Sequence, residues 1–310
     1  MSTSSVLISN FVQSIKKLRA KLSPVFGVII LGIFIYWIFN YRKIIISTFG
    51  DISLSELAII LILFITIGIF TVFTFVALIR DFGYPIEFID GHHALYYSQL
   101  ASMIPGGIWG YAGLAGVLWS KGVSKVDSIL VIFQYTLIML TACAVIGVTG
   151  LASIFGWGYA IIGGLPFIFL LLGRNWLDTN RRNFFPGSSS LPSNLSLLKI
   201  LIYGIIIWIM GSICFTWLLY SSIGYEGIPF WTSSGAYAAG YLGGYIAFFA
   251  PSGIGVSEGL VTLILSPYVA TEKVMAVAIS FRIIQTIVIW CNILVATLFR
   301  LKKNKSSLFK

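Results

Sequence analysis

Six apolar runs punctuate the chain, at about 25–40, 57–79, 128–150, 153–173, 197–220 and 274–299. Each is long enough to cross a hydrocarbon core of about 30 Å as a helix. Between them lie two apolar segments of another kind, about 94–119 and about 234–266, each interrupted by proline and glycine. The first carries Pro105-Gly106-Gly107-Ile108-Trp109-Gly110-Tyr111-Ala112-Gly113-Leu114. The second, 146 residues later, carries Pro251-Ser252-Gly253-Ile254-Gly255-Val256-Ser257-Glu258-Gly259-Leu260, identical at five of the ten positions. Proline ends a helical hydrogen-bond ladder and glycine loosens the backbone around it. The first break leaves arms of ten to thirteen residues, which at about 1.5 Å of rise per residue span half a bilayer. That pattern predicts an all-α, polytopic membrane bundle with two re-entrant hairpins. Repeat 1 covers about 57–150 and repeat 2 about 197–299, joined by the linker-like stretch 174–196 with Pro186, Gly187, Ser188 to Ser190 and Pro192.

The basic residues orient this layout, because short cytoplasmic loops hold the excess of Lys and Arg. With both breaks re-entrant, Arg80, Lys121, Lys125, Arg174, Arg181, Arg182 and Lys199 share one side with both termini, and only Arg42, Lys43 and Lys273 fall opposite. The two hairpins then dip in from opposite faces, which makes the repeat inverted. Two tilted full crossings per hairpin would give the same sidedness. The expected location is the cell (inner) membrane, multi-pass, with cytoplasmic N- and C-termini. Residues 1–24 read as a basic amphipathic segment lying on an anionic surface, ahead of a single membrane domain over 25–310: Leu7, Ile8, Phe11, Ile15, Leu18 and Leu22 recur at helical spacing. Lys16, Lys17, Arg19 and Lys21 follow an apolar stretch instead of preceding one, so a cleavable signal is not expected.

Composition agrees with the pattern. At 58% hydrophobic and 10% charged residues, with a mean hydropathy of +0.97, the chain has too little polar surface for a soluble globule. The formal charge of +10 sits beside apolar runs, so it speaks for membrane topology and anionic headgroups, with no nucleic-acid partner. Cys143, Cys214 and Cys291 fit neither a disulfide framework nor a metal pattern and read as packing residues. His92 and His93, read as one short loop, lack further ligands, so neither a metal nor another cofactor is expected.

Charges inside apolar sequence are expensive and therefore informative. Glu258 follows the second break by seven positions, and Arg282 sits in the middle of the last run. They could pair to dock the second hairpin on the last helix; alternatively Arg282 binds a phosphate or Glu258 takes a proton. Pro105, Gly106 and Gly107, and Pro251, Gly253 and Gly255 with the adjacent Ser257, would leave backbone groups open at membrane depth for water, protein or ligand. A helix starting after Gly107 or Gly255 would aim its positive end at the break, which suits an anionic headgroup. Gln134 and Gln285 are polar residues inside spans, suited to helix-to-helix hydrogen bonds, and Gln134 is also a candidate substrate-binding residue of the first half. The tryptophans read as an interfacial belt, with no sugar-stacking site.

The Pro-Gly-Gly-Ile-Trp-Gly segment followed by Lys121-Gly122-Val123-Ser124 resembles the transmembrane flippase-like domain of lysylphosphatidylglycerol synthases. So does Phe249-Ala250-Pro251-Ser252-Gly253-Ile254-Gly255-Val256-Ser257-Glu258-Gly259, followed by Ser280-Phe281-Arg282. The resemblance covers most of the chain after about residue 20. It implies an integral inner-membrane protein that moves a phospholipid or a lipid-linked saccharide between leaflets, with no catalytic residues, and Glu258 and Arg282 match the family's second-half Glu and Arg. The family's first-half Arg and Glu-Arg pair are replaced by Tyr111-Ala112-Gly113 and Phe133-Gln134-Tyr135. Two other classes remain open. A membrane glycosyltransferase-type enzyme would draw on Asp51, Glu56 or Glu226. An accessory subunit would work beside cell-envelope biosynthesis enzymes.

Overall fold

The computed structural model describes residues 28–29, 32–104, 109–156, 165–224, 227–247 and 250–308. The amphipathic segment expected at 1–24, and Pro105, Gly106 and Gly107 of the first break, lie outside these residues. The described chain is helical, without strands: α1 (32–51), α2 (Leu54–Asp81), α3 (Phe88–Ser102), α4 (Trp109–Ser120), α5 (Lys125–Phe155), α6 (Leu165–Phe184), α7 (Asn194–Ile223), α8 (Phe230–Ile246), α9 (Val256–Leu265) and α10 (Thr271–Leu308). α2, α5, α7 and α10 are long and apolar enough to cross a membrane. The other two expected spans, 25–40 and 153–173, fall partly outside the described residues. The chain is a multi-pass membrane protein.

The long helices start where serines can cap them. Ser53, Ser124 and Ser193 each accept a hydrogen bond from the backbone N–H three residues on, at Glu56, Asp127 and Ser196. On α2, Ile62, Ile65, Ile69 and Phe73 recur at helical spacing and point out of the bundle, as do Ile287, Leu294 and Leu298 on α10. In water such stripes would drive aggregation; in lipid they are the outer surface.

Polar contacts fix which ends lie together. At one end Glu56 Oε1 accepts from Ser221 Oγ at 2.9 Å and Trp217 Nε1 at 3.2 Å. At the other, Ser196 Oγ donates to Asp81. Helices α2 and α7 therefore run antiparallel. Beside Asp81, the buried Asp127 accepts from Tyr84 OH at 2.6 Å, Ser124 Oγ at 2.9 Å, and Ser189 N and Oγ, both at 2.9 Å. One carboxylate thus gathers the α2–α3 loop, the start of α5 and the stretch before α7.

The order of elements repeats: long helix, two short helices, long helix. α3 leaves from the Asp127 end and α4 returns to it, where Asp90 and Lys121 pair at 2.6 Å. α8 leaves from the Glu56 end, where the Tyr220 hydroxyl donates to Ile228 O. α9 returns there, packing Leu265 with Ile60, Leu218 and Val274. His92 and His93 belong to α3, not to a loop.

Small residues set how closely the helices approach. A Cβ at Gly150 of α5 would come within 2.3 Å of Gly235 Cα on α8, so the two backbones touch where they cross. Gly244 of α8 and Gly253 of the second break meet the same way, and a Cβ on Gly253 would lie 2.8 Å from Gly244 Cα.

Candidate functional site

The second break is a single 3-10 turn, Pro251–Gly253, between α8 and α9. Pro251 interrupts the ladder, and Ser252, Gly253 and Gly255 adopt positive φ of 49°, 71° and 85°. Ser252 is the one non-glycine residue in that region among the described residues. Three turns of direction within four residues bring the chain back on itself, with Ser257 buried against Gly244.

Glu258 stands at the third position of α9 and is 2% exposed. Its Oε2 accepts from Gly255 N at 2.6 Å and its Oε1 from Arg282 Nε at 2.6 Å. Both oxygens are engaged. The positive end of α9, which the sequence offered to an anionic ligand, is occupied by the helix's own carboxylate. The Arg282 side chain, 19% exposed, uses only Nε in this pair, and its two Nη groups have no hydrogen-bond partner among the described residues. Tyr237 and Tyr241 lie within reach of its charge. Gln285 Nε2 donates to Tyr237 OH at 3.4 Å.

Tyr237, Tyr241 and Tyr245 recur every four residues on α8, a stripe the sequence reading did not use. Tyr237 stacks on Phe215 with ring centroids 5.5 Å apart, and Tyr241 meets Trp208 edge-on at 4.6 Å. Trp208 is therefore buried in the bundle instead of joining an interfacial belt; its indole N–H finds Met139 O at 3.1 Å. Tyr245 OH lies 2.5 Å from Tyr111 OH of α4. Beside it, Ser252 Oγ lies 3.1 Å from Ser102 Oγ at the end of α3. The two short-helix pairs, one from each end of the bundle, meet at their tips.

The sequence profile of the family described as lysylphosphatidylglycerol synthase TM region matches residues 24–291. The chain belongs to that family. No curated protein matches it.

In this lysylphosphatidylglycerol synthase-type membrane region, the matched stretch includes both broken segments, Glu258 and Arg282. Gln134 stands apart from them. It lines a separate cavity of about 380 Å³ with Arg174, Trp176 and Phe185, and its Oε1 has no partner among the described residues. Of the acidic residues an enzyme would need, Glu56 is consumed: its Oε2 accepts from Ser53 N and Oγ, its Oε1 from α7. Asp51 is exposed at the end of α1, and Glu226 lies outside the described residues. Among the described residues no three His, Cys, Asp or Glu side chains cluster as metal ligands.

Proposed function

We propose that this protein moves a phospholipid or lipid-linked saccharide between the leaflets of the cell membrane. On this reading the α3/α4 and α8/α9 pairs are re-entrant hairpins of an inverted repeat, and the Asp127 end faces the cytoplasm. The observation that carries the reading is the meeting of the two broken pairs, Ser102 with Ser252 and Tyr111 with Tyr245, beside a buried ion pair. Antiparallel α2 and α7, and short pairs that each return to their own end, support the inversion. The basic residues Arg80, Lys121, Lys125 and Lys199 around the Asp127 end support the sidedness. Family membership supports the lipid.

Alternating access then needs only the tip contacts to part on one face and reform. Two hydroxyl pairs are a weak seal, at about 0.5–1.5 kcal/mol per hydrogen bond. Arg282 supplies the charge recognition, its Nη groups meeting a lipid phosphate while Nε stays on Glu258. With Tyr111 and Tyr135 where the family resemblance would place charges, the first half offers hydroxyls and backbone. An enzyme of cell-envelope glycan or lipid synthesis is the expected partner, as supplier or user of the lipid.

The test is leaflet exchange in proteoliposomes, read by quenching of headgroup-labelled phosphatidylglycerol, phosphatidylethanolamine and a polyprenyl-linked sugar. Faster exchange than in protein-free vesicles is expected for at least one of them, with loss in Arg282→Gln. No exchange for any would sink the reading.

A further inference from the structure

Gln134 belongs to a cavity that none of the residues at the hairpin tips lines. The cavity measures about 380 Å³ and lies between α5, α6 and the start of α7. Its walls are apolar, with Leu130, Phe133 and Leu137 of α5, Phe185 after α6 and Leu197 of α7. Ile129, Phe133 and Trp176 of the lining are 56%, 53% and 55% exposed, on surfaces that face out of the bundle. The cavity therefore opens sideways, to where acyl chains lie.

Within this apolar lining stands one amide. Gln134 is 6% exposed, and its Oε1 is buried with no hydrogen-bond partner among the described residues. Folded proteins rarely leave a buried polar atom unpaired, because it has lost water and gained nothing in exchange. Arg174, the charged residue of the lining, is already engaged through all three of its nitrogens. Its Nε donates to Pro192 O at 3.2 Å, its Nη1 donates to Asn175 Oδ1 at 3.1 Å, and its Nη2 lies 3.8 Å from Asp178 Oδ2. The polar demand still open in the cavity is that of Gln134.

Chemistry, depth and volume together define what meets it. An amide presents its carbonyl or, after a half-turn, its NH₂ at the same place. A hydroxyl both donates and accepts, so it serves either setting, whereas a carboxylate or an ammonium serves only one. Gln134 stands nine residues beyond Lys125, about 14 Å along α5, well inside one half of a hydrocarbon core of about 30 Å. A phosphate drawn to that depth would lose its hydration at far greater cost than a hydroxyl. At about 30 Å³ for each water-sized group, the volume holds about a dozen chain atoms, one chain and not two. We propose that the groove between α5 and α6 binds one neutral, single-chain lipid alcohol, its hydroxyl on Gln134 and its chain leaving past Ile129 and Phe133. The site stands apart from the hairpin tips, and the proposal needs a membrane protein, not a translocating one.

A diazirine-bearing hexadecanol tests it, with full-length protein in lipid nanodiscs and the crosslinked peptides read by mass spectrometry. Adducts should fall within 129–138 and 173–185, saturate with probe, and be displaced by unlabelled hexadecanol. Hexadecane has the chain without the hydroxyl. At equal mole fraction in the lipid it should compete about fivefold less well, the scale of one neutral hydrogen bond. In Gln134→Leu that preference should vanish. Partition into the disc is common to both proteins, so the comparison isolates the side chain. The variant should unfold no more readily than the parent, since it removes an unpaired polar atom. Should it not fold, Gly173→Phe fills the cavity from α6, where a Cβ meets nothing within 4 Å, and should abolish the adducts. Labelling that does not saturate, a hydroxyl preference that survives Gln134→Leu, or adducts that survive Gly173→Phe would overturn the proposal. So would stronger displacement by palmitate, hexadecyl phosphate or dioleoylglycerol than by hexadecanol.

Discussion

Glu258 and Arg282 supply the sharpest quantitative test, because each is held by the other. Glu258 has both oxygens committed at 2.6 Å and almost no exposure, so Glu258→Gln leaves a mostly buried guanidinium without its counter-charge. Arg282→Met leaves a carboxylate buried at the start of α9, with only Gly255 N and the helix end to hold it. Removing one partner of a buried pair is destabilising by about 3–5 kcal/mol, whereas replacing both by neutral groups removes the uncompensated charge. Glutamine can still accept from Gly255 N. Each single substitution should therefore destabilise by about 3 kcal/mol, and Glu258→Gln with Arg282→Met by about the same amount instead of about 6. Reversible unfolding in mixed micelles, run as a double-mutant cycle, reads the coupling of about 3 kcal/mol. Additive losses would refute the account. Leaflet exchange measured on the same four proteins separates stability from function: if Glu258→Gln keeps exchange while Arg282→Met and the equally stable double variant lose it, Arg282 acts on the lipid. If exchange falls alike in all three, the pair only docks α9 on α10.

Gly253→Ala should be poorly tolerated, losing upwards of about 2 kcal/mol, because its Cβ would press on the Gly244 backbone at 2.8 Å and its φ is positive. Gly116→Ala, with open space around it, should leave the melting temperature unchanged or slightly raised. Asp127→Asn keeps the shape but loses the charge that four donors converge on; about 2–3 kcal/mol should be lost, and proteolysis within 185–193 should quicken because Ser189 is released. A disulfide between Ser102→Cys and Ser252→Cys should form readily, since the native oxygens are 3.1 Å apart, and should stop exchange until reduced. Exchange that continues in the oxidised protein would mean that the tips need not part.

The long helices were legible because a bilayer sets a minimum apolar length and little else satisfies it. The second break was legible for a similar reason: Pro251 and its glycines have few other uses inside apolar sequence. The cost of a lone charge in lipid marked Glu258 and Arg282 out and left pairing as one of two alternatives; the folded chain pairs them at 2.6 Å. The self-capping at the start of α9 was not legible: Glu258, three residues in, accepts from Gly255 N at the helix end that the sequence offered to an anionic headgroup. The Asp127 hub escaped notice because Tyr84 and Ser189 are 43 and 62 residues from it, and only the folded chain brings them together. Gln134 was placed with the breaks on chemistry alone, and one turn of a helix is enough to carry a side chain to another cavity.

The two breaks share a backbone signature but not an electrostatic one, and that asymmetry bears on mechanism. In the second, a carboxylate, a helix end and a guanidinium form a closed set whose only spare capacity is the Nη face of Arg282. In the first, what meets the second half is a serine and a tyrosine hydroxyl. A charged contact across the tips would hold the two halves together more firmly than either hydroxyl pair, and would have to be desolvated and resolvated in every cycle. Neutral contacts can break at little cost. On the proposed translocation, the charge thus sits on α9 against α10, and the tips that would part are left uncharged.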